Sequence, residues 1–253
     1  MSTQRWPRAV IQRLAAALGL LCGIASEAVC QTFEIKGLHV EKGGIDIDLD
    51  NAAFFGGTTN RSGHEQKINY GVTNWWRLTA AVDWENPVGG NPRATNLGIE
   101  NIFVLRPMQQ KQDFGLGAFL ALEPSIHDTS TNAFVFGPIF TLRWDNITWT
   151  FNPFLEQTFG RNREPGIAFD YAWQAKYELR EGLAVGVEGY GLVENLGDSP
   201  RLAEQQHRIG PVLYTEVELA EHFKIAPSVG VLFGLTPATP DVALRINMDI
   251  HLH

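Results

Sequence analysis

Residues 242–252 alternate between apolar and polar or small side chains at every position. The even positions from Val242 to Leu252 are all apolar, and the odd positions carry Ala243, Arg245, Asn247, Asp249 and His251. A period of two predicts a β-strand with one apolar face and one hydrated face. Residues 45–50 alternate in the same way near the other end of the chain. We therefore predict a sheet whose first and last strands pair with each other.

About twelve such amphipathic stretches follow one another along the chain. Each is close to the ~9–11 residues that a tilted membrane-spanning strand requires. We expect strands near residues 44–54, 64–72, 76–85, 95–105, 113–123, 133–143, 147–158, 167–178, 183–193, 206–217, 223–234 and 242–252. Backbone groups in lipid must pair within the protein, which requires a closed barrel. The predicted fold is all-β, a transmembrane antiparallel up-and-down β-barrel of about 12 strands.

A soluble β-sandwich would show the same alternation, so other features have to distinguish the two folds. The predicted strands are long for a sandwich, and their aromatic residues fall mainly near strand ends, as in interfacial girdles. The connections also alternate in length: tight turns such as Thr73-Asn74 follow even-numbered strands, and longer loops follow odd-numbered strands. Short periplasmic turns and longer external loops produce this rhythm, with both chain ends in the periplasm.

Four prolines interrupt the predicted strands and count against regular strand pairing. They are Pro138, Pro153, Pro211 and Pro227. Each proline removes one donor from the hydrogen-bond ladder. Gly137 and Gly210 precede two of them and would tolerate a local bend. We expect β-bulges at these positions.

The N-terminal 30 residues have the layout of a secretory signal peptide. Arg5, Arg8 and Arg13 precede an apolar run at residues 14–25, and small residues follow it. The run is about half of the ~20 apolar residues that a spanning helix needs. We predict a signal peptide at 1–30 with cleavage after Ala28 or Cys30, a periplasmic lead-in or small plug at 31–43, and a barrel at 44–253. Export would place the barrel in the outer membrane of a Gram-negative bacterium.

Charge and cysteine content narrow the possible partners. Removal of residues 1–30 takes three of 20 basic and one of 28 acidic side chains, which leaves 17 and 27 and a formal charge of −10. This balance argues against nucleic acid as a partner. Cys22 lies in the predicted signal and Cys30 at its end, so no intramolecular disulfide framework is expected. The expected partners are outer-membrane lipid, small solutes and the barrel-assembly machinery. No cofactor is expected, and the oligomeric state is left open.

Several short motifs resemble those of a known group of barrel proteins. They are Phe33-Glu34-Ile35-Lys36-Gly37, residues 40–43, the turn at 70–76, and residues 169–174, 210–214 and 232–237. The chain resembles uncharacterised proteobacterial outer-membrane β-barrel proteins, which are similar to a transporter-like group associated with phenol meta-pathway degradation. The resemblance implies an outer-membrane barrel and transport of small organic solutes. It supplies no catalytic residues.

The inward faces of the predicted strands concentrate charged and polar side chains near mid-depth. The candidates for the lumen are Asp48, Asp50, Glu100, Glu188, Tyr190, Arg245 and Asp249. Two interpretations stay open. The carboxylates could form a selectivity ring around an aqueous path, as in cation-preferring pores. They could also form a paired network that fills the barrel, because small barrels fill with their own side chains.

Two further groups of residues could carry chemistry, but each also has an explanation that involves none. His251 and His253 share a strand face with Asp249, which could present two imidazoles to a metal. Because the spacing fixes no third ligand, a hydrated strand end is the favoured explanation. Ser125, His127 and Ser130 share one predicted loop, where a lipid hydrolase could keep a nucleophile and base. The main hypothesis is a passive or weakly selective channel, not an enzyme. The alternatives are a barrel-embedded lipid hydrolase and a non-conducting structural or adhesive barrel.

Overall fold

The computed structural model describes residues 32–56, 61–86, 91–109, 112–127 and 131–252. The predicted signal peptide lies outside the described residues. Among the described residues, the only helices are two short 3-10 turns, Leu196–Asp198 and Leu202–Glu204. The strands are β1 (Ile45–Phe55), β2 (Arg61–Gly71), β3 (Trp76–Glu85), β4 (Arg93–Arg106), β5 (Gln112–Glu123), β6 (Asn132–Trp144), β7 (Ile147–Phe159), β8 (Ala168–Arg180), β9 (Leu183–Val193), β10 (Gln206–Thr215), β11 (Val217–Ala220), β12 (Phe223–Gly234) and β13 (Val242–Leu252).

Pairing between the first and last strands closes the sheet. β1 pairs with β2 on one side and with β13 on the other, both antiparallel. β10 and β11 both pair with β12 and are separated only by Glu216, so they form one barrel strand in two pieces. The thirteen strand segments therefore make a closed antiparallel barrel of twelve strands. This confirms the predicted fold class, with strand bounds within a few residues of those expected.

The barrel wall is apolar outside, and its inner face carries charged and polar residues beside an apolar cluster on β4 to β7 that includes Ile102, Phe119 and Ile139. Along β1 the buried residues are Asp48, Asp50, Ala52 and Phe54, every second position. The intervening positions of β1 face outward. On other strands, large apolar side chains such as Ile68 of β2 and Ile99 of β4 are exposed on the outer face. An apolar outer band around a polar interior is the pattern of a barrel in lipid. Within the described ranges, no helix is long and apolar enough to cross a membrane.

The prolines interrupt the ladder without the bulges that we expected, so that prediction was wrong. Between β6 and β7 the pairing stops after Phe136↔Leu155 and resumes at Phe140↔Phe151, with three residues skipped on each strand. Pro138 keeps its pairing with Ala118 on the other side. The missing donor thus breaks contact with one neighbour only, and the register is conserved. The register shifts lie elsewhere: at Asp83/Trp84, Val104/Arg106, Glu178/Arg180 and Glu218/Ala220.

Glycine next to two of these prolines allows adjacent strands to approach closely. A Cβ atom at Gly137 would overlap the carbonyl oxygen of Pro153, and one at Gly210 would overlap the carbonyl oxygen of Val231. Both obstacles are backbone atoms, which cannot swing aside as a side chain can. The close approach therefore depends on the absence of a side chain at these two positions.

Gly210→Ala should destabilise the barrel, because the added methyl group forces β10 and β12 apart. Overpacking of this kind costs about 1–3 kcal/mol. Gly37→Ala is the matched control, since a Cβ there meets nothing within 4 Å. The free energy of unfolding can be measured by urea titration in lipid vesicles with tryptophan fluorescence as the signal. Equal stability of the two variants would contradict the close approach.

Candidate functional site

Residues 32–44, the lumen segment, run from the interior of the barrel to its rim: Phe33 and Lys36 are buried inside, and residues 41–43 are exposed beside the turn after β2. The Phe33 side chain is 0% exposed, and its ring packs 5.6 Å from that of Phe54 on β1 and 4.9 Å from that of Tyr190 on β9. The Phe33 carbonyl oxygen accepts hydrogen bonds from Arg245 Nε at 3.0 Å and Asn247 Nδ2 at 2.8 Å. The segment therefore touches the walls formed by β1, β9 and β13 at one level of the lumen.

Lys36 connects the lumen segment to the wall formed by β4 and β7. Its Nζ atom lies 2.6 Å from Glu100 Oε2 and 2.6 Å from Glu34 Oε2. Its backbone N–H donates to Asn152 Oδ1 at 2.8 Å, and Asn152 Nδ2 donates to the Lys36 carbonyl oxygen at 3.0 Å. A buried carboxylate is costly unless it is paired. Lys36 supplies that pairing for Glu100.

Lys67 on β2 collects three carboxylates around one ammonium group. Its Nζ donates to Asp50, to Glu34 Oε2 at 2.5 Å and to Glu65 Oε2 at 3.1 Å. The three carboxylates are close enough together to hold a metal ion. The Lys67 side chain is only 1% exposed and contacts all three, so its ammonium group already occupies the position between them that a cation would take.

The ion pairs of the lumen segment shift the pKa values of Glu34 and Lys36. Burial alone would raise the pKa of the Glu34 carboxyl, but the charges of Lys36 and Lys67 outweigh it and leave the pKa well below its ordinary value. Burial alone would lower the pKa of the Lys36 ammonium, but Glu100 and Glu34 outweigh it and raise the pKa. A carboxyl group whose pKa is lowered on folding stabilises the folded barrel at pH values above its ordinary pKa. An ammonium group whose pKa is raised on folding stabilises the folded barrel at pH values below its ordinary pKa. Glu34 and Lys36 therefore both stabilise the fold fully between pH 4.5 and pH 10.5, which are the ordinary pKa values of the two groups.

A second buried network centres on Glu188. Its Oε2 atom lies 3.1 Å from Arg245 Nε and accepts from Tyr190 OH at 2.6 Å, and its Oε1 accepts from Tyr214 OH at 2.7 Å. Arg245 also donates to Ser228 Oγ at 2.9 Å. Both oxygens of Glu188 are therefore occupied, and its side chain is 0% exposed. This network adjoins the Phe33 contacts, because Arg245 takes part in both.

The predicted lumen residues all face inward. Asp48, Asp50, Glu100, Glu188, Tyr190 and Arg245 are buried, and Asp249 is half-buried. Most of them bind the lumen segment or one another. Their assignment to a selectivity ring stays a prediction. Sequence reasoning did not place Glu34 and Lys36 in the lumen, although their alternation with Phe33 and Ile35 was a visible sign of an ordered segment.

A cavity of about 910 Å³, the inner vestibule, opens at the end of the barrel that carries the short turns. Asp46, Asp48, Asp249 and His251 line one wall, and Glu34, Glu188 and Arg245 are also among its lining residues. Asp48 and Asp249 are directly paired across β1 and β13, and neither forms an ion pair with any described residue. Asp48 accepts a hydrogen bond from Asn69 Nδ2 at 2.7 Å.

The metal and hydrolase candidates have other contacts. His251 Nδ1 lies 2.8 Å from Asp46 Oδ1, and His253 is outside the described residues. The Ser125 hydroxyl donates to the carbonyl oxygen of His127 at 2.5 Å, and its Oγ accepts from the His127 backbone N–H. Ser130 is outside the described residues. The bonds of Ser125 to His127 thus involve the backbone of His127, so the described contacts do not favour a serine nucleophile.

Comparison with solved structures finds barrels of the same architecture. An outer-membrane channel from Pseudomonas putida F1 is similar with a TM-score of 0.61 and 8% identity, over 87% of this chain and 99% of the channel. The NanC porin has a TM-score of 0.54 and 9% identity, over 82% of this chain and 99% of the porin. The KdgM porin has a TM-score of 0.53 and 13% identity, over the same shares.

These identities show a shared fold and no closer relationship. No protein-family model matches the chain, and no curated protein matches its sequence. The relation to the phenol meta-pathway group therefore stays a prediction. The fold is that of porin-like β-barrels of the Gram-negative outer membrane.

Lys67→Met should destabilise the folded barrel strongly, because it leaves the buried Asp50 without a cation and removes a partner of the half-buried Glu65 and of Glu34. Removal of one member of a buried ion pair costs about 3–5 kcal/mol. Lys42→Met removes an exposed lysine of the lumen segment and serves as the control. The measurement is the free energy of unfolding in lipid vesicles. A loss no larger than that of the control would show that the cluster does not hold the lumen together.

Proposed function

We propose that this protein is an outer-membrane channel for small solutes and that the lumen segment narrows it in the resting state. The observation that carries the proposal is the inner vestibule, a polar-walled cavity within a closed barrel of porin-like fold. The vestibule opens at the end of the barrel that carries the short turns, and Glu34, Glu188 and Arg245 are among its lining residues. A solute entering from this side meets the lumen segment next.

The charge of the vestibule supports a preference for cations or neutral polar solutes. Asp48 and Asp249 lie side by side on its wall and form no ion pair within the described part of the chain. Carboxylates in a narrow aqueous path raise the local concentration of cations. The resemblance to the aromatic-degradation group suggests that the solutes are small organic molecules. A solved structure of KdgM holds an oligogalacturonate, but the acidic wall found here argues against an anionic sugar.

The lumen segment supports a resting barrier, because it contacts the wall on several sides. Phe33 bonds to β13, and Lys36 bonds to β4 and β7. These bonds join a segment outside the barrel strands to walls that are not adjacent in the sheet. Conduction then requires either a path beside the segment or its displacement.

A variant that lacks residues 33–40 should show a larger single-channel conductance than the full chain in planar bilayers, because the deletion removes the side chains that occupy mid-lumen. Phe33→Ala with Lys36→Ala is a milder variant and should have an intermediate effect. Retention of a heat-modifiable band on gels verifies that each variant is folded. Absence of conductance in the wild type and in both folded variants would refute the channel and favour a structural or adhesive barrel.

Replacement of Asp48 and Asp249 together by Asn should lower the cation preference without a change in side-chain size. Reversal potentials across a salt gradient measure the effect, which should weaken at high salt because ions screen the wall. Asp198→Asn, in the exposed turn Leu196–Asp198 beyond β9, is the control. Glu188→Gln is a poor substitute here, because it removes the partner of Arg245. An anion-selective wild type, or selectivity unchanged by the double substitution, would contradict the assignment.

A further inference from the structure

The lipid-facing wall has a groove of about 620 Å³ between β6 and β7. Two stacked aromatic pairs form its sides. Phe114 and Phe140 lie 6.3 Å apart with an interplanar angle of 26°, and Trp149 and Trp173 lie 6.3 Å apart with an angle of 15°. Leu142 and Phe151 complete the apolar lining. We call this feature the aromatic groove.

The groove follows from the way these rings pair. One stack joins β5 to β6 and the other joins β7 to β8. Across β6 and β7 themselves, Phe140 faces Phe151 and Leu142 faces Trp149, next to the proline interruption of the ladder. The Phe140 ring therefore stacks toward β5 and the Trp149 ring toward β8, and an open space remains between the two stacks along the strands.

The depth of the groove identifies the leaflet. Leu142 and Trp149 lie two residues from the pair Trp144↔Ile147, which closes the short turn between β6 and β7. Short turns of outer-membrane barrels are periplasmic, and a strand residue advances ~3.3 Å along a tilted strand. The groove thus begins just below the head groups of the inner leaflet and extends toward the membrane centre.

A pair of opposite charges lies at the rim. The Arg106 guanidinium lies 5.7 Å from the centroid of the Phe114 ring, and its Nη2 atom bonds Asp113 Oδ1 at 2.7 Å. The Arg106 side chain remains 51% exposed. Asp113 also accepts from the backbone N–H groups of Gln109 and Phe114, so both of its oxygens are occupied. The half-exposed guanidinium is therefore the group that can bind the phosphate of a lipid head group. Lipid A, in the outer leaflet, does not reach this depth.

We propose that the aromatic groove binds one phospholipid of the inner leaflet, with an acyl chain between the two aromatic stacks and the phosphate of its head group on Arg106. A chain in the groove touches rings on both sides, whereas a chain on a flat part of the wall touches protein on one side only. Because dispersion contacts add up, this site retains lipid that the surrounding wall exchanges. The proposal depends on the membrane-embedded barrel and is independent of conduction.

Photolabelling of the wild-type protein tests the site without a substitution. The protein is reconstituted in vesicles of phosphatidylethanolamine and phosphatidylglycerol that contain a trace of phosphatidylethanolamine with a diazirine in its acyl chain. After irradiation, mass spectrometry should find residues 140–151 labelled several-fold more than residues 97–103, which face lipid on β4. Equal labelling of the two segments would overturn the proposal.

Native mass spectrometry of the detergent-extracted protein tests retention. The wild type should keep one phospholipid after detergent exchange, and Phe140→Ala with Trp149→Ala should lose it. The matched control is Trp75→Ala with Phe103→Ala, a pair of the same residue types whose rings lie 6.2 Å apart near another periplasmic turn.

Arg106→Gln should weaken retention of phosphatidylethanolamine. Loss of lipid in both double variants, or none bound to the wild type, would contradict a specific site; a heat-modifiable band verifies folding.

Discussion

Closure of the sheet by β1 and β13 is the constraint on which the rest of the molecule depends. In lipid, every backbone N–H and C=O must find its partner within the protein, and the eleven cross-strand pairs from Ile45↔Leu252 to Phe55↔Val242 remove the last open edge. Closure with a period of two divides the side chains into an apolar outer set and an inner set. The inner set of this chain contains many charges, so the barrel has an interior whose electrostatics must also be satisfied.

The lumen segment satisfies much of that interior. The strands contribute more carboxylates than cations at mid-depth: Asp50 and Glu65 contact Lys67, and Glu100 contacts Lys36, which supplies a second ammonium group from the segment. Glu34 bonds both lysines and joins the two halves of the cluster. A paired interior and a narrowed channel are therefore two consequences of the same contacts. Asp48 and Asp249 are among the inward carboxylates that form no ion pair with the described residues, and both line the inner vestibule.

Sequence periodicity was enough to predict the barrel, because alternation is a local property of each strand. It also placed Asp48, Asp50, Glu100, Glu188, Tyr190, Arg245 and Asp249 on inward faces. Partners across the lumen could not be predicted, because the contact of Lys36 with Glu100 or of Phe33 with Arg245 depends on the path of a segment outside the barrel strands. Alternation within that segment does not show which wall each of its side chains meets. The prediction of β-bulges at the prolines was wrong for a related reason. Pro138 and Pro153 lie on neighbouring strands and share a single interruption of the hydrogen-bond ladder, so neither strand needs an extra residue.

The most direct test of this account is hydrogen–deuterium exchange at the backbone amide of Lys36, which donates to Asn152 Oδ1 inside the barrel. Local protection reports the free energy of opening at that site. If the lumen segment occupies the channel at rest, the Lys36 amide should exchange far more slowly than an unstructured peptide, with protection comparable to that of strand amides. Exchange at the rate of a free peptide, in a barrel whose strands remain protected, would show that the segment does not reside in the lumen.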